Sequence, residues 1–178
     1  MKEIRGKRLT LLIKEDDIDR RVKELGEEIR EEFRGDKEFV VIGLLKGAFV
    51  FMADLIRHID LPLRVDFLWV SSYGDSMESS GNIRIVKDID TDIEGKSVLL
   101  VDDILDTGLT LKEIHEFLSL KNPKKLRTCV FLDKKERRKV EFGADFVGFE
   151  VPDRFLVGYG LDWGELGRNL PGIYAVEE

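Results

Sequence analysis

Between residues 15 and 34, apolar side chains fall at Ile18, Val22, Leu25, Ile29 and Phe33, three or four positions apart. That spacing predicts one stripe of an amphipathic helix stopped by Gly35. Residues 39–45 (FVVIGLL) form an apolar run that predicts a buried strand, and 48–59 predict a helix closing before Pro62. Residues 63–70 are rich in β-formers and predict the next strand. After a polar stretch, strand character resumes over 83–86 and again over 97–101. A turn is expected over 102–108, then a helix over 109–120 carried by Leu111, Ile114, Phe117 and Leu118 and stopped near Pro123. Short strands are predicted at 126–132, 146–149 and 155–157. Apolar strands alternating with helices argue for an α/β fold, a mainly parallel sheet covered on both faces.

No repeat, low-complexity tract or linker interrupts the pattern, so residues 1–178 read as one domain. The N-terminal helix and the tail after Gly158, roughly residues 1–36 and 158–178, are expected to form a small hood on the core.

Composition narrows the function classes. Acidic residues outnumber basic ones 36 to 29, a net charge of −7, which disfavours a nucleic-acid or anionic-membrane partner. No apolar run approaches the roughly 20 residues that span a bilayer. A single Cys excludes a disulfide scaffold. A cytoplasmic globular protein is expected. Charged residues reach 37%, Gln is absent, and Asn occurs only at positions 82, 122 and 169, a bias associated with thermophiles.

The segment most informative about chemistry is 97–111, SVLLVDDILDTGLTL. An apolar strand ends in Asp102 and Asp103; Asp106, Thr107 and Gly108 form a tight turn, and Thr110 opens a helix. Ligands in open α/β sheets bind beyond the carboxyl ends of strands, and a helix N-terminus there accepts anions. Three carboxylates beside an anion site make sense when the ligand also brings a divalent cation or sugar hydroxyls. A phosphorylated sugar with Mg²⁺ satisfies both requirements. Capping by Asp106 or Thr107 explains one such residue but not the cluster. An acidic pair arriving at 102 suits neither a receiver domain nor the DxD of a haloacid-dehalogenase phosphatase, and no P-loop is present.

The run VDDILDTG over 101–108, with Thr110, resembles the phosphoribosyl-pyrophosphate (PRPP) motif of type I phosphoribosyltransferases. Four further segments extend the resemblance in order along nearly the whole chain: LLKG at 44–47, SSYG at 71–74, VPDRFLVGYGLD at 151–162 and RNLP at 168–171. Together they are similar to the hypoxanthine (hypoxanthine-guanine) phosphoribosyltransferase family. The resemblance implies the type I phosphoribosyltransferase fold, a twisted, mainly parallel sheet flanked by helices with a hood from both termini. It also implies Mg²⁺-dependent transfer of ribose 5-phosphate from PRPP to N9 of a 6-oxopurine, and a homodimer or homotetramer.

The resemblance further implies residue roles. Asp106, Thr107, Gly108, Leu109 and Thr110, with Ile104 and Leu105 before them, would cradle the 5′-phosphate. Asp102 and Asp103 would face the ribose hydroxyls directly or through the metal, with Asp162 as a further metal carboxylate near the base. Asp106 occupies the position of the general base near purine N7. Lys134 matches the lysine that donates to the 6-oxygen, a choice that favours an oxo over an amino group. Phe155 matches the stacking aromatic, and Leu156 reads the ring edge. Lys46, Gly47 and Arg168 match the pyrophosphate site, and the Leu45–Lys46 bond matches one often held cis. Ser72 and Tyr73 lie in the polar stretch 71–82, which would close over the site and exclude water. Two positions depart from the pattern: Asp102 stands where Glu is common, and Gly167 where an aromatic is common, which bears on how Arg168 is held.

Lys135, Arg137 and Arg138 read equally as a solvated basic turn. His58 and His115 read as surface or helix-end residues, and Cys129 as a small buried hydrophobe. A PRPP-sensing nucleic-acid-binding regulator of the same fold is the rival reading. It predicts a basic face and loss of Lys134, Phe155 and Asp162. A pyrimidine phosphoribosyltransferase would share the PRPP motif without the 155–162 segment.

Overall fold

The computed structural model describes residues 3–72 and 83–178. The main sheet has six strands in the order β5-β4-β3-β6-β7-β8. They are β3 (Phe39–Leu45), β4 (Arg64–Ser72), β5 (Ile83–Lys87), β6 (Ser97–Leu105), β7 (Lys125–Asp133) and β8 (Phe146–Glu150). All neighbours pair in parallel except β5, which runs antiparallel to β4 at the edge. Central strands are buried on both faces, which is why β3 and the first half of β6 read as unbroken apolar runs. Helices α1 (Glu15–Phe33) and α2 (Phe49–Ile56) contribute to the apolar cluster on one face; α3 (Leu109–Ser119) contributes to the cluster on the other.

A second, antiparallel sheet has the order β1-β2-β10-β9, formed by β1 (Glu3–Ile4), β2 (Lys7–Ile13), β9 (Leu156–Val157) and β10 (Ile173–Val176). Three of these strands, β1, β2 and β10, escape the sequence pattern. Strand β2 is mostly exposed and lacks alternation, and β1 and β10 are short. Their backbone groups find partners only across the length of the chain, as in Leu9 opposite Val176.

Helix α1 shares one buried cluster with the main sheet and also with Ile13, Leu156, Ile173 and Ala175 of the terminal strands. Its stripe Ile18, Val22, Leu25, Ile29 and Phe33 is buried in one cluster with Phe39, Val41 and Phe51 of the main sheet and α2. Arg21 donates to the carbonyls of Gly148 (2.9 Å) and Val147 (2.8 Å), fastening α1 to β8. The turn expected over 102–108 starts later, because β6 runs on to Leu105. Asp102, Ile104 and Leu105 pair with Val130, Leu132 and Asp133 of β7. Ladder hydrogen bonds there outweigh the low strand preference of Asp.

Candidate active site

The carboxyl ends of β3, β6 and β7 lie side by side; Asp102, Asp103, Ile104 and Leu105 are the last residues of β6, and the other candidate side chains described below follow these strand ends or lie on the later segment that includes β9. After β6, Asp106 and Thr107 lead to Gly108 (φ 85°), which starts α3. Thr107 is buried, and its Oγ1 accepts from the Leu109 amide at 3.3 Å. A pocket of about 240 Å³ opens here, lined by Asp102, Asp103, Ile104, Leu105, Asp106, Thr107, Gly108 and Thr110 together with Leu111 and Arg137. Its position at the start of an eleven-residue helix suits an anion.

A larger cavity, about 550 Å³, shares Asp103, Ile104, Asp106 and Arg137 with it and adds Lys134, Asp153, Arg154, Phe155, Leu156, Leu161 and Asp162. Lys134 follows β7, and its amide donates to the Leu105 carbonyl at 2.9 Å, locking the two strand ends together. Burial holds the Lys134 ammonium below the ordinary lysine pKa, while the charges of Asp106 and Asp153 pull it back up. Phe155 is 46% exposed and meets Trp163 edge-on at 5.9 Å, so its ring is available to a planar ligand. Leu156 begins β9 and is pinned by pairing with Ala175.

Asp102 and Asp103 are squeezed together. Burial, reinforced by the Asp103 charge, pushes the Asp102 carboxyl well above the usual range; burial also raises Asp103, against the opposing charge of Arg168. Gly47 lies against this pair so closely that a Cβ on it would stand 2.0 Å from Asp103 Oδ2. Only glycine lets the loop after β3 approach the acids. The Leu45–Lys46 bond before it is cis.

Lys46 and Arg168 do not line the large cavity but meet at Glu165. Lys46 Nζ donates to Glu165 Oε2 at 2.9 Å, and Arg168 donates to Glu165 Oε1 at 3.3 Å and to the Gly160 carbonyl at 2.7 Å. The Lys46 and Arg168 charges and hydrogen bonds hold the Glu165 carboxyl below its usual range. Gly167 has φ +97°, and a Cβ there would meet Ile4 Cδ1 at 2.9 Å. An aromatic would be strained at this φ, and Arg168 is held by Gly160, Asp162 and Glu165.

The acidic residues suit a hard divalent cation: they are oxygen donors, and mutual repulsion at Asp102 and Asp103 is relieved by positive charge. Asp103 and Asp162 both line the larger cavity, while Asp102 lines the smaller one. Asp162 turns to Arg168 at 3.2 Å and accepts the Glu165 amide at 2.8 Å. Among the described residues no group of three His, Cys, Asp or Glu side chains is placed to hold a metal.

The backbone of Ser72 ends β4, opposite Ile83. Tyr73 lies outside the described residues, as does the remainder of the proposed closing loop to residue 82.

The chain matches the phosphoribosyl transferase domain over residues 14–163. It is 70% identical to the hypoxanthine-guanine phosphoribosyltransferase of Aquifex aeolicus (strain VF5) over 178 residues, 100% of both chains. It belongs to the hypoxanthine(-guanine) phosphoribosyltransferase family. The enzyme of the same description from Bacillus subtilis (strain 168) is 52% identical over 92% of this chain and 90% of its own. A crystal structure of a hypoxanthine-guanine phosphoribosyltransferase from Bacillus anthracis superimposes with a TM-score of 0.90 at 49% identity, covering 94% of this chain and 98% of that one. As a member of this family the chain is a pentosyltransferase with the type I phosphoribosyltransferase fold. The regulator reading is unsupported.

Among the site residues that the sequence does not single out are Arg137, Asp153 and Glu165. In the sequence Arg137 is one of a basic group, yet its Nε donates to Asp106 Oδ1 at 3.1 Å. Its neighbours behave differently: Lys135 pairs with Glu150 at the surface and Arg138 with buried Asp133. Asp153 and Glu165 lay inside or between the quoted motifs, and that proximity was their only signal.

Proposed function

We propose that the chain, working as one domain, transfers the 5-phosphoribosyl group of PRPP to N9 of hypoxanthine, and also of guanine, giving the nucleoside monophosphate and pyrophosphate. The observation that carries this reading is the larger cavity. It brings Lys134, Asp106, Phe155 and Asp162 together and shares a wall with the anion pocket at α3.

In this assignment the 5′-phosphate enters the 106–110 loop, where backbone amides and Thr hydroxyls donate to it. Asp102 and Asp103 accept from the ribose hydroxyls. The purine lies on Phe155, with its 6-oxygen accepting from Lys134 and its N7 side near Asp106. As the N9–C1′ bond forms and the bond from C1′ to the pyrophosphate oxygen breaks, the purine loses a proton, and Asp106 stabilises or takes it. Lys46 and Arg168 balance the charge of the leaving pyrophosphate. Residues 71–82, with Ser72 and Tyr73, exclude water from the oxocarbenium-like ribose. Mg²⁺, when bound at Asp102 or Asp103 and at Asp162, supplies charge neutralisation for ribose and pyrophosphate oxygens.

We further place the enzyme in the cytoplasm as a homodimer or homotetramer. A thermophilic source is supported by ion-pair networks such as Lys125 between Asp36 (2.9 Å) and Glu32 (3.8 Å). The decisive experiment incubates the protein with PRPP, Mg²⁺ and each of hypoxanthine, guanine and xanthine. Nucleotide and pyrophosphate should form in equal amounts with the first two bases. Failure with all three removes this reading.

A further inference from the structure

Glu165 is unusual in both its position and its partners. It is the third residue of the tight turn 163–166, closed by Trp163 N to Leu166 O at 2.8 Å and Leu166 N to Trp163 O at 3.2 Å. Both central residues have positive φ, 58° at Gly164 and 68° at Glu165. That is the pattern of a type I′ turn, whose central positions favour Gly, Asn and Asp. A Glu in left-handed conformation is uncommon, and such an outlier invites a functional reading. The Glu165 amide is fixed by Asp162 Oδ2 at 2.8 Å, which aims the side chain.

The side chain is aimed at cations. One oxygen accepts from Lys46, which stands 119 residues away in sequence, and the other accepts from Arg168. Arg168 has other anchors, the Gly160 carbonyl and Asp162. For Lys46 the interactions seen are this carboxylate and a position over the Trp69 ring at 5.9 Å. The side chain of Glu165 remains 63% exposed, so the pairs are weak and readily exchanged.

We propose that Glu165 is a built-in stand-in for the pyrophosphate of PRPP: its carboxylate occupies the Lys46–Arg168 pair until the ligand's anion displaces it, and it thereby sets PRPP affinity and eases pyrophosphate release. The proposal rests on the assignment of Lys46 and Arg168 to pyrophosphate given above. A carboxylate and a pyrophosphate oxygen compete for the same donors, so the tighter the internal pair, the weaker the ligand. A neutral amide at 165 keeps a single acceptor oxygen, its NH2 being a donor, and competes without charge.

The test is calorimetric binding of inorganic pyrophosphate with Mg²⁺ to the full chain, alongside steady-state kinetics. Glu165→Gln should bind pyrophosphate about two- to tenfold more tightly, the range expected for releasing two exposed ion pairs. The KM for PRPP should fall by a similar factor, the KM for the purine should not move, and the gain should shrink with added salt. Glu165→Asn, which suits a left-handed turn, should behave alike and guards against a turn defect in the Gln variant. Equal or weaker pyrophosphate binding in both variants overturns the stand-in role. Lys46→Met and Arg168→Gln separate the two layers. If both weaken pyrophosphate binding while the Glu165 variants do not tighten it, only the stand-in role falls. If neither weakens it, the pyrophosphate assignment falls and takes the stand-in role with it.

Discussion

The Arg137 guanidinium holds the Asp106 carboxylate, Nε to Oδ1 at 3.1 Å, on the wall shared by the two cavities. Both side chains are about two-fifths exposed, 39% and 41%, so the pair contributes only about 0–1 kcal/mol to stability. Its consequence is orientation of the group assigned to the purine proton. Arg137→Gln should leave the melting temperature within about 4 °C. It should lower kcat/KM by about 1 kcal/mol, roughly fivefold. In an Asp106→Asn background the same change should cost much less. Losses that simply add across the cycle would show that Arg137 acts without Asp106.

Lys134 carries its charge in a buried place, and burial lowers its pKa from the ordinary lysine value. As pH rises through that lowered value the ammonium is lost, and the donor geometry for an oxo group weakens. The KM for hypoxanthine should therefore rise at a lower pH than an ordinary lysine would produce. Lys134→Met should raise it about 10- to 100-fold at neutral pH, the loss of one charge-assisted hydrogen bond. An alkaline limb that survives in Lys134→Met belongs to another group, and undiminished use of 6-oxopurines would remove the assigned role.

Asp102 and Asp103 place like charges side by side, with both carboxyls raised by burial and Asp102 further by its neighbour. Because the folded-state values are raised, ionising the pair costs stability at neutral pH. Asp102→Asn should raise the melting temperature by about 2–4 °C for each kcal/mol relieved, while PRPP binding and turnover fall. The gain should vanish as pH drops and the wild-type pair takes up a proton. A destabilised variant at pH 7 would mean that the carboxylate is well compensated.

Asp66 is a buried acid of another kind, in a structural role. Its oxygens accept from the amides of Phe67 (2.7 Å), Asp90 (2.9 Å) and Thr91 (2.8 Å), fastening the segment after β5 to β4. Burial pushes its carboxyl up, but the hydrogen bonds, led by Thr91, bring it below the ordinary value. With the folded pKa depressed, its stabilisation is full above the unfolded value of about 4 and is lost as pH falls through the folded one. Asp66→Asn should cost about 1.5–3 kcal/mol at pH 7 and flatten the acid limb of a urea-melt series. An unchanged limb would place acid sensitivity elsewhere.

Much of this site is legible locally. The run 101–108 places its acids at a strand end because apolar residues must be buried and carboxylates must not, and the structure puts Asp103 and Asp106 on the wall of both cavities. The extension of β6 through Asp102 to Leu105 was not legible, since pairing with β7 decided it. Neither was the placement of α1, whose stripe shows that it packs but not on what.

By itself the sequence determined the alternation of strands and helices, the acidic loop before α3, and the motifs that tie the chain to its family. Those features depend on neighbours within a few residues or on matched patterns. Tertiary structure alone decided which opposite charges meet. Lys46 finds Glu165 at a separation of 119 residues, Arg137 finds Asp106 at 31, and Leu9 finds Val176 in a terminal sheet that local periodicity does not show. Ion pairs and strand ladders leave no repeating mark along the chain, because each partner's position is set by the packed core between them.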